Sequence, residues 1–324
     1  RFSIPAGRVN TANSLVGAVT GDAVSYSAYI DPNSGSHYAY GGLTVLAGGR
    51  YAVASPWWSD GAASGVGAVT FGPNGGIVGA VSSSNSLIGA TAGDHVGMSS
   101  SLYDSYNGIS TVQSGVVAVT ASGQTNYVVR SWNWTNADDR SGGGAGAGAL
   151  TWVDGTNGHA YGESSVGARV GAGNSLVGSA AGDAVGSHFQ ALTRRVGNSD
   201  VATGDLLFFS ALDYCGIDGY GAVTLISGAQ GAAGPVNWRN SILGLAPLGA
   251  GQNTSTIASG SESTDIRVTL LPTAVTGAER VAYRPLIWAS PNTTSGNNSS
   301  HLYAATLVDE ATAGGPIVDP IHGA

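Results

Sequence analysis

The stretch NSLVGAVTGDAV fills residues 13–24, NSLIGATAGDHV fills 85–96 and NSLVGSAAGDAV fills 174–185. Three near-identical dodecamers point to repeated architecture, because a catalytic constellation is built once and a structural corner once per unit. Two further landmarks follow each dodecamer in constant order. The first is an apolar segment ending in serine: YAVAS at Tyr51–Ser55, YVVRS at Tyr127–Ser131 and LLFFS at Leu206–Ser210. The second is GAVTF from Gly67, GALTW from Gly148 and GAVTL from Gly221. A fainter fourth copy reads NSILG from Asn240, IWASP from Ile287 and AATL from Ala304.

The copies begin at residues 13, 85, 174 and 240, so 72, 89 and 66 residues separate successive starts. Constant landmarks with elastic spacers are the mark of fixed strands joined by variable loops. Apolar runs of four to seven residues, rich in Val, Leu, Tyr and Trp and bounded by Gly, Asn or Ser, read as strands. No stretch carries helical periodicity over 11 residues. Each repeat offers four strands: one before the YAVAS type, that strand, the GAVT strand, and an outer one leading into the next NSL. The expected fold is therefore all-β, a β-propeller-like array of about four four-stranded blades. Within a single repeat domain the blades span about 13–84, 85–173, 174–239 and 240–324, with 1–12 as an outer or closing strand. Strands such as VVAVT and YVVRS are apolar on nearly every residue, which predicts cover on both faces. In the NSL–G…GD corner, Asn and Asp would cap turns and glycines would take positive φ. Gly314–Asp319 (GGPIVD) offers one more outer strand. Either the N-terminal strand closes the ring against the last blade, or an unpaired edge adds a strand from another copy.

Composition narrows the function. Of 324 residues only 10% are charged, against about 25% in an average soluble domain. All twelve cations are arginines, and a net charge of −8 gives no footprint for nucleic acid or an anionic membrane. Cys215 is the sole cysteine, which rules out an intrachain disulfide and is expected to be a buried thiol. No run reaches the length of a membrane helix. The start at Arg1 suggests a processed or excised piece, and the Ser/Thr/Asn-rich acidic composition suggests an extracellular or cell-surface location.

The order GD–VG, YVV–S, GAVTW and NSLVG resembles FG-GAP-like repeats, the blade unit of integrin-type propellers. It is more similar still to the Gly/Ser/Asn-rich repeats of large secreted bacterial proteins of the filamentous-haemagglutinin or adhesin type. The resemblance covers 13–242 well and 261–308 poorly. It implies a secreted or surface-displayed propeller serving adhesion or matrix structure. Integrin-type blades often carry an Asp-rich calcium loop, but WWSDGAASG, WNWTNADDRSGGG and DYCGIDGYG lack its alternating acidic ligands. No metal or cofactor is expected.

Sequence-local chemistry is sparse. The six histidines show no HxH, HxxxH or HExxH spacing, and His95 stands where the other copies have Ala23 and Ala184. The absence of lysine excludes a P-loop, and SGGGAGAGAL from Ser141 leads into a strand pattern rather than a helix. Asp60, Asp94, Asp138, Asp139, Asp183, Asp213 and Glu163 are the carboxylates a glycoside-active propeller would draw on. Asp22, Asp94 and Asp183 are repeat-equivalent, which favours turn capping over acid–base work. Asn133, Asn253, Asn292, Asn297 and Asn298 lie in glycosylation sequons. Trp57, Trp58, Trp132 and Trp134 follow equivalent strands, with Tyr214 near the same place in the third copy. Such rings either plug the space between blades or stack on sugars. The ligand-binding set for the sugar reading is Trp58, Asp60, Trp134, Asp138 and Tyr214. The expected role is non-enzymatic: a structural or adhesive protein, with edge strands as a route to self-assembly into a filament or layer. A carbohydrate-binding module and a glycoside-active enzyme are the alternatives, with glycans or a cell-surface ligand as partners.

Overall fold

A computed structural model of the chain describes residues 7–30, 37–104, 109–121, 124–137, 144–196, 199–210, 222–237, 240–243, 286–289 and 302–305. The first repeat forms β1 (Leu15–Val16), β2 (Tyr26–Ile30), β3 (His37–Gly41), β4 (Leu43–Val45), β5 (Tyr51–Ser55), β6 (Ala68–Gly72) and β7 (Gly79–Ala80). The second forms β8 (Ser86–Ile88), β9 (Ser100–Asp104), β10 (Ile109–Gln113), β11 (Val116–Ala121), β12 (Gln124–Ser131), β13 (Ala149–Val153) and β14 (Ala168–Arg169). The third forms β15 (Leu176–Val177), β16 (His188–Val196), β17 (Ser199–Ser210), β18 (Ala222–Ile226) and β19 (Gly234–Pro235). The fourth contributes β20 (Ile242–Leu243), β21 (Leu286–Ala289) and β22 (Leu302–Ala305). One 3₁₀ turn at Ala47–Gly49 is the helical content of the described residues, so the fold is all-β. Cys215, Asp213, Tyr214, Asp138, Asp139 and Gly314–Asp319 lie outside the described residues.

The strand order of the sheets explains the spacing of the copies. The extra hairpins β2–β3 and β9–β10 are inserted in the first and second repeats, whereas the third runs straight from β16 into β17. This accounts for its shorter spacer. The partnership differs from four strands per repeat. The YAVAS-type and GAVT-type strands pair antiparallel within their own repeat, and the NSL strand of the following repeat then adds antiparallel to the GAVT strand. The short strand after that adds parallel to the NSL strand. The sheets accordingly read β4-β5-β6-β8-β14 and β11-β12-β13-β15-β19, with β16-β17-β18-β20 as the third. Each sheet is thus finished by the repeat that follows it.

These three sheets stack face to face, and the alternation of side chains along single strands assigns each residue to one of two cores. Tyr127, Val129, Ala149 and Val177 of the middle sheet pack with Ala52, Ala54, Val69, Phe71 and Leu87 of the first. Their chain neighbours Val128, Leu150 and Leu176 pack on the other face with Leu206, Phe208 and Ala222 of the third. The free face of the first sheet, through Ala68 and Ile88, is covered by Leu15 and Val24 of the N-terminal segment together with Trp58, Val66 and Val81. Two-sided burial removes the polar alternation of a surface sheet, which is why these strands read as unbroken apolar runs.

Burial on both faces leaves little room for polar atoms, yet each sheet holds a chain of them at its NSL strand. The Thr70 and Ser86 hydroxyls lie 2.7 Å apart, Thr151 and Ser175 2.6 Å, and Thr224 and Ser241 2.7 Å. Each serine donates onward to the Oδ1 of the asparagine before it, at 2.8 Å in Asn85, 2.8 Å in Asn174 and 3.0 Å in Asn240. With the serine proton so used, the threonine is the donor within each pair. The same Oδ1 accepts a backbone N–H three residues upstream, and Nδ2 donates to a carbonyl five residues upstream, in all four copies. The letters N, S and T recur because each member of this buried chain needs the next. The glycine opening each GAVT segment has a separate cause. Gly67 and Gly148 have φ of +76° and +78°, and a Cβ there would lie 2.1 Å and 2.3 Å from the backbone nitrogens of Val96 and Val185.

Replacing Ser175 with alanine leaves the Thr151 hydroxyl without an acceptor and is expected to cost about 2 kcal/mol, and Thr151→Val about 1 kcal/mol. The double variant should cost less than the sum, because a buried polar pair replaced together leaves no orphan. Urea unfolding of the four proteins checks this, and strict additivity would refute the coupling.

Candidate functional site

The surface that carries variable chemistry is formed by the loops after β5 and β12 and by the GD corners that clasp them. The corner following β8 is bound to the first aromatic loop by four backbone hydrogen bonds, from Gly89 N, Gly93 N, His95 N and Val96 N to Gly67 O, Ser64 O, Gly65 O and Val66 O. The corner following β15 repeats the set, from Gly178 N, Gly182 N, Ala184 N and Val185 N to Gly148 O, Ala145 O, Gly146 O and Ala147 O. Buried aspartates lock these corners. Asp94 Oδ2 accepts from Ala90 N and Thr91 N, both at 2.8 Å, and its Oδ1 accepts from Thr135 N at 2.9 Å. Asp22 Oδ2 accepts from Ala18 N and Val19 N, and its Oδ1 from Ser59 N at 3.0 Å. Asp183 caps Ser179 N and Ala180 N in the same way. One oxygen therefore caps its own turn while the other holds the aromatic loop of the next stretch of chain. Turn capping is the role that repeat equivalence predicts for these three, and the cross-link to Ser59 and Thr135 is what the sequence does not reveal.

The aromatic residues divide by exposure. Trp58 is 3% exposed among Val66, Ala68, Val81 and Ile88, and Trp134 is 5% exposed in the core between the first two sheets. Both indole nitrogens lie buried without a protein acceptor. Trp57 is half-buried and meets the His95 ring edge-on at 4.6 Å. His95 Nδ1 lies 2.9 Å from Pro56 O, so a residue standing where other copies have alanine supports this one ring. Asp60 is ion-paired with Arg169 at 2.6 Å, the side chains being 34% and 52% exposed. Arg169 also donates to Gly89 O at 3.0 Å. Trp57 with His95 and Asp60 with Arg169 are thus two part-exposed pairs that involve the first loop. Sequence reasoning found Trp57 and Asp60 but not Arg169, which comes from β14 and arrives only through its parallel pairing with β8. Of the five residues of the sugar reading, Trp58 and Trp134 are buried, Asp60 is at this surface, and Asp138 and Tyr214 lie outside the described residues. Glu163 is exposed and accepts from Asn174 Nδ2 at 2.9 Å. Among the described residues no three His, Cys, Asp or Glu side chains gather as a metal site would require.

One buried charge interrupts the core. Arg130 occupies the position held by Ala54 and Phe209 in the neighbouring repeats, and it is fully buried. Its guanidinium donates to Gly186 O, Ser114 O and Ser100 Oγ, each at 2.8 Å, and to Ser187 O, and it stacks 5.2 Å above the Phe189 ring. Burial pulls its pKa down to about 9, so the group remains charged at neutral pH. Burial, with the nearby Arg130 charge adding to it, lowers the pKa of His188 to about 4. Carbonyls from two successive repeats converge on one cation, which ties the second and third sheets together.

The sequence profile of a family described as "Repeat of unknown function (DUF5650)" matches residues 4–26, 45–98, 121–187 and 215–248. No curated protein matches the chain. The matched segments contain the NSL strands, the GD corners and all three GAVT-type strands described above.

Asp94→Asn places an amide against backbone N–H donors and is expected to cost about 2–3 kcal/mol of unfolding free energy, measured in urea. His188 is neutral in the fold, whereas the unfolded chain binds a proton below about pH 6.5. Its contribution is complete above that pH and is lost as pH falls towards 4. His188→Gln should therefore flatten the stability–pH curve between those values, and an unchanged slope would count against it. With more than half of its residues covered in register with these elements, the chain belongs to the DUF5650 family of repeats.

Proposed function

We propose that this chain is a secreted or cell-surface structural and adhesive repeat protein, its sheets arranged radially as the blades of an FG-GAP-like propeller. The observation that carries the reading is the corner lock. Asp22 and Asp94 each spend one oxygen on their own turn and the other on the aromatic loop of the next stretch. Aspartates that recur in the first three copies are thus committed to fixing the corners, those of the first two also tying each corner to the aromatic loop of the adjoining sheet, and loops of differing length and composition are held out at the rim. A surface scarce in charge and rich in Ser, Thr, Asn and Gly suits an extracellular scaffold. An all-β stack whose faces are covered sideways by equivalent neighbours supports radial packing.

Antibody labelling of intact source cells, with protease shaving, tests this reading. Signal on unbroken cells that shaving removes is the expected result, and signal only after lysis would overturn it.

A carbohydrate-binding role is the second reading, favoured by the part-exposed Trp57, three residues before Asp60 on the same loop, and by the Asp60–Arg169 pair. An aromatic face with an adjacent acceptor and donor is the arrangement that holds a sugar ring by stacking and hydrogen bonds. A glycan array should then give hits that Trp57→Ala abolishes, with tryptophan fluorescence changing on titration. An empty array would remove this reading and leave the first intact.

A further inference from the structure

Two Asn–Gly pairs fall among the described residues, Asn74–Gly75 in the turn between β6 and β7 and Asn157–Gly158 after β13. Both asparagines are exposed, yet their surroundings differ. Asn157 is held by hydrogen bonds. Its Nδ2 donates to Asp154 Oδ2 at 3.1 Å, its Oδ1 accepts from His159 N at 2.8 Å, and the following Gly158 N donates to Asp154 O at 2.7 Å. Gly158 is itself buried, so close to Phe71 that a Cβ there would lie 2.5 Å from the ring. Asn74 has the opposite setting. Gly76 N donates to Pro73 O at 2.9 Å, which makes Asn74 and Gly75 the central residues of a β-turn. Residues 73–76 are all exposed. Among the described residues, neither the Asn74 side chain nor Gly75 N makes a hydrogen bond.

An asparagine followed by glycine can close on its own backbone. The glycine nitrogen loses its proton and attacks the side-chain Cγ, a C–N bond forms, and the Cγ–Nδ2 bond breaks to release ammonia. Glycine has no Cβ to obstruct the approach. Water then opens the five-membered imide. Cleavage at Cγ leaves aspartate, and cleavage at the main-chain carbonyl leaves isoaspartate. We infer that Asn74 is a self-modification site of this kind in the folded protein, whereas Asn157 is protected by the bonds that hold it and its glycine. The product adds one negative charge to a chain at −8. Its isoaspartyl form also adds a methylene to the main chain leading into β7, which pairs with β1 through Leu15↔Gly79. Asn74 Oδ1 rests against Gly49, where a Cβ would meet it at 2.6 Å, so the turn entering β5 feels the change as well. A third pair, Asn107–Gly108, lies outside the described residues.

Peptide mapping by mass spectrometry tests this on the intact folded chain, held at mildly alkaline pH in heavy-oxygen water. The peptide bearing Asn74 is expected to take up one solvent oxygen and to split into aspartyl and isoaspartyl forms. Asn157 should convert about a hundredfold more slowly, because several hydrogen bonds must break before its Cγ can be reached. In urea the two asparagines should react at similar rates, since only the local sequence then remains. Equal rates in the folded chain, or faster loss at Asn157, would overturn the inference. So would an Asn74 that stays intact over the time in which the unfolded chain converts. Gly75→Ala gives a second readout. No atom lies within 4 Å of a Cβ built at Gly75, so this variant should keep the parent's melting temperature. Its conversion at Asn74 should fall severalfold, because the new methyl group crowds the attacking nitrogen. An unchanged rate in that variant would mean direct hydrolysis of the amide, and the inference would fail.

Discussion

Between β6 and β8, β13 and β15, and β18 and β20, a threonine hydroxyl donates to a serine that in turn donates to an asparagine, inside sheets with apolar neighbours. A buried hydroxyl without its partner costs about as much as a whole hydrogen bond contributes, so the three residues stand or fall together. The chain of donors runs from one repeat into the next. The threonine belongs to the GAVT strand of one unit, and the serine and asparagine to the NSL strand of the unit after it. From this single dependence follows the observed partnership: none of the three stacked sheets is completed by the repeat that begins it.

That dependence gives the stack its cohesion. A sheet finished by the following repeat cannot separate from it without exposing both a ladder edge and the hydroxyl chain. The corner aspartates add a second tie, from turn to neighbouring loop, and Arg130 a third, from the second sheet to carbonyls at Ser114, Gly186 and Ser187. The positive φ of Ala23, His95 and Ala184, identical in sense at equivalent sites, shows that the corners are held to one shape even where no glycine relieves them. A non-glycine residue there costs about 1–2 kcal/mol, which the surrounding hydrogen bonds offset. Beside these fixed corners lie two residue pairs without counterparts in the other copies, Trp57 with His95 and Asp60 with Arg169.

Much of this was legible in the chain. The recurring dodecamer announced repeats, the apolar runs announced strands covered on both faces, and equivalence of Asp22, Asp94 and Asp183 announced capping. The surface around the first aromatic loop was legible only in part. From their place after a strand end Trp58 and Trp134 could either plug the space between sheets or stack on a sugar, and the structure buries both, while a one-residue difference leaves Trp57 half-exposed. Arg169 carried no signal, because its partner Asp60 is 109 residues away and only the parallel pairing of β14 with β8 brings them together.

The sequence by itself determined that strands would form and in what order, since alternation, turn residues and the N, S, T and D positions are local properties of the chain. Only the tertiary structure decided which repeat each strand serves. Pairing is a choice among edges of nearly equal backbone chemistry, and it is made by side chains that meet across long separations: a threonine hydroxyl needing a serine, and an apolar face needing the next sheet.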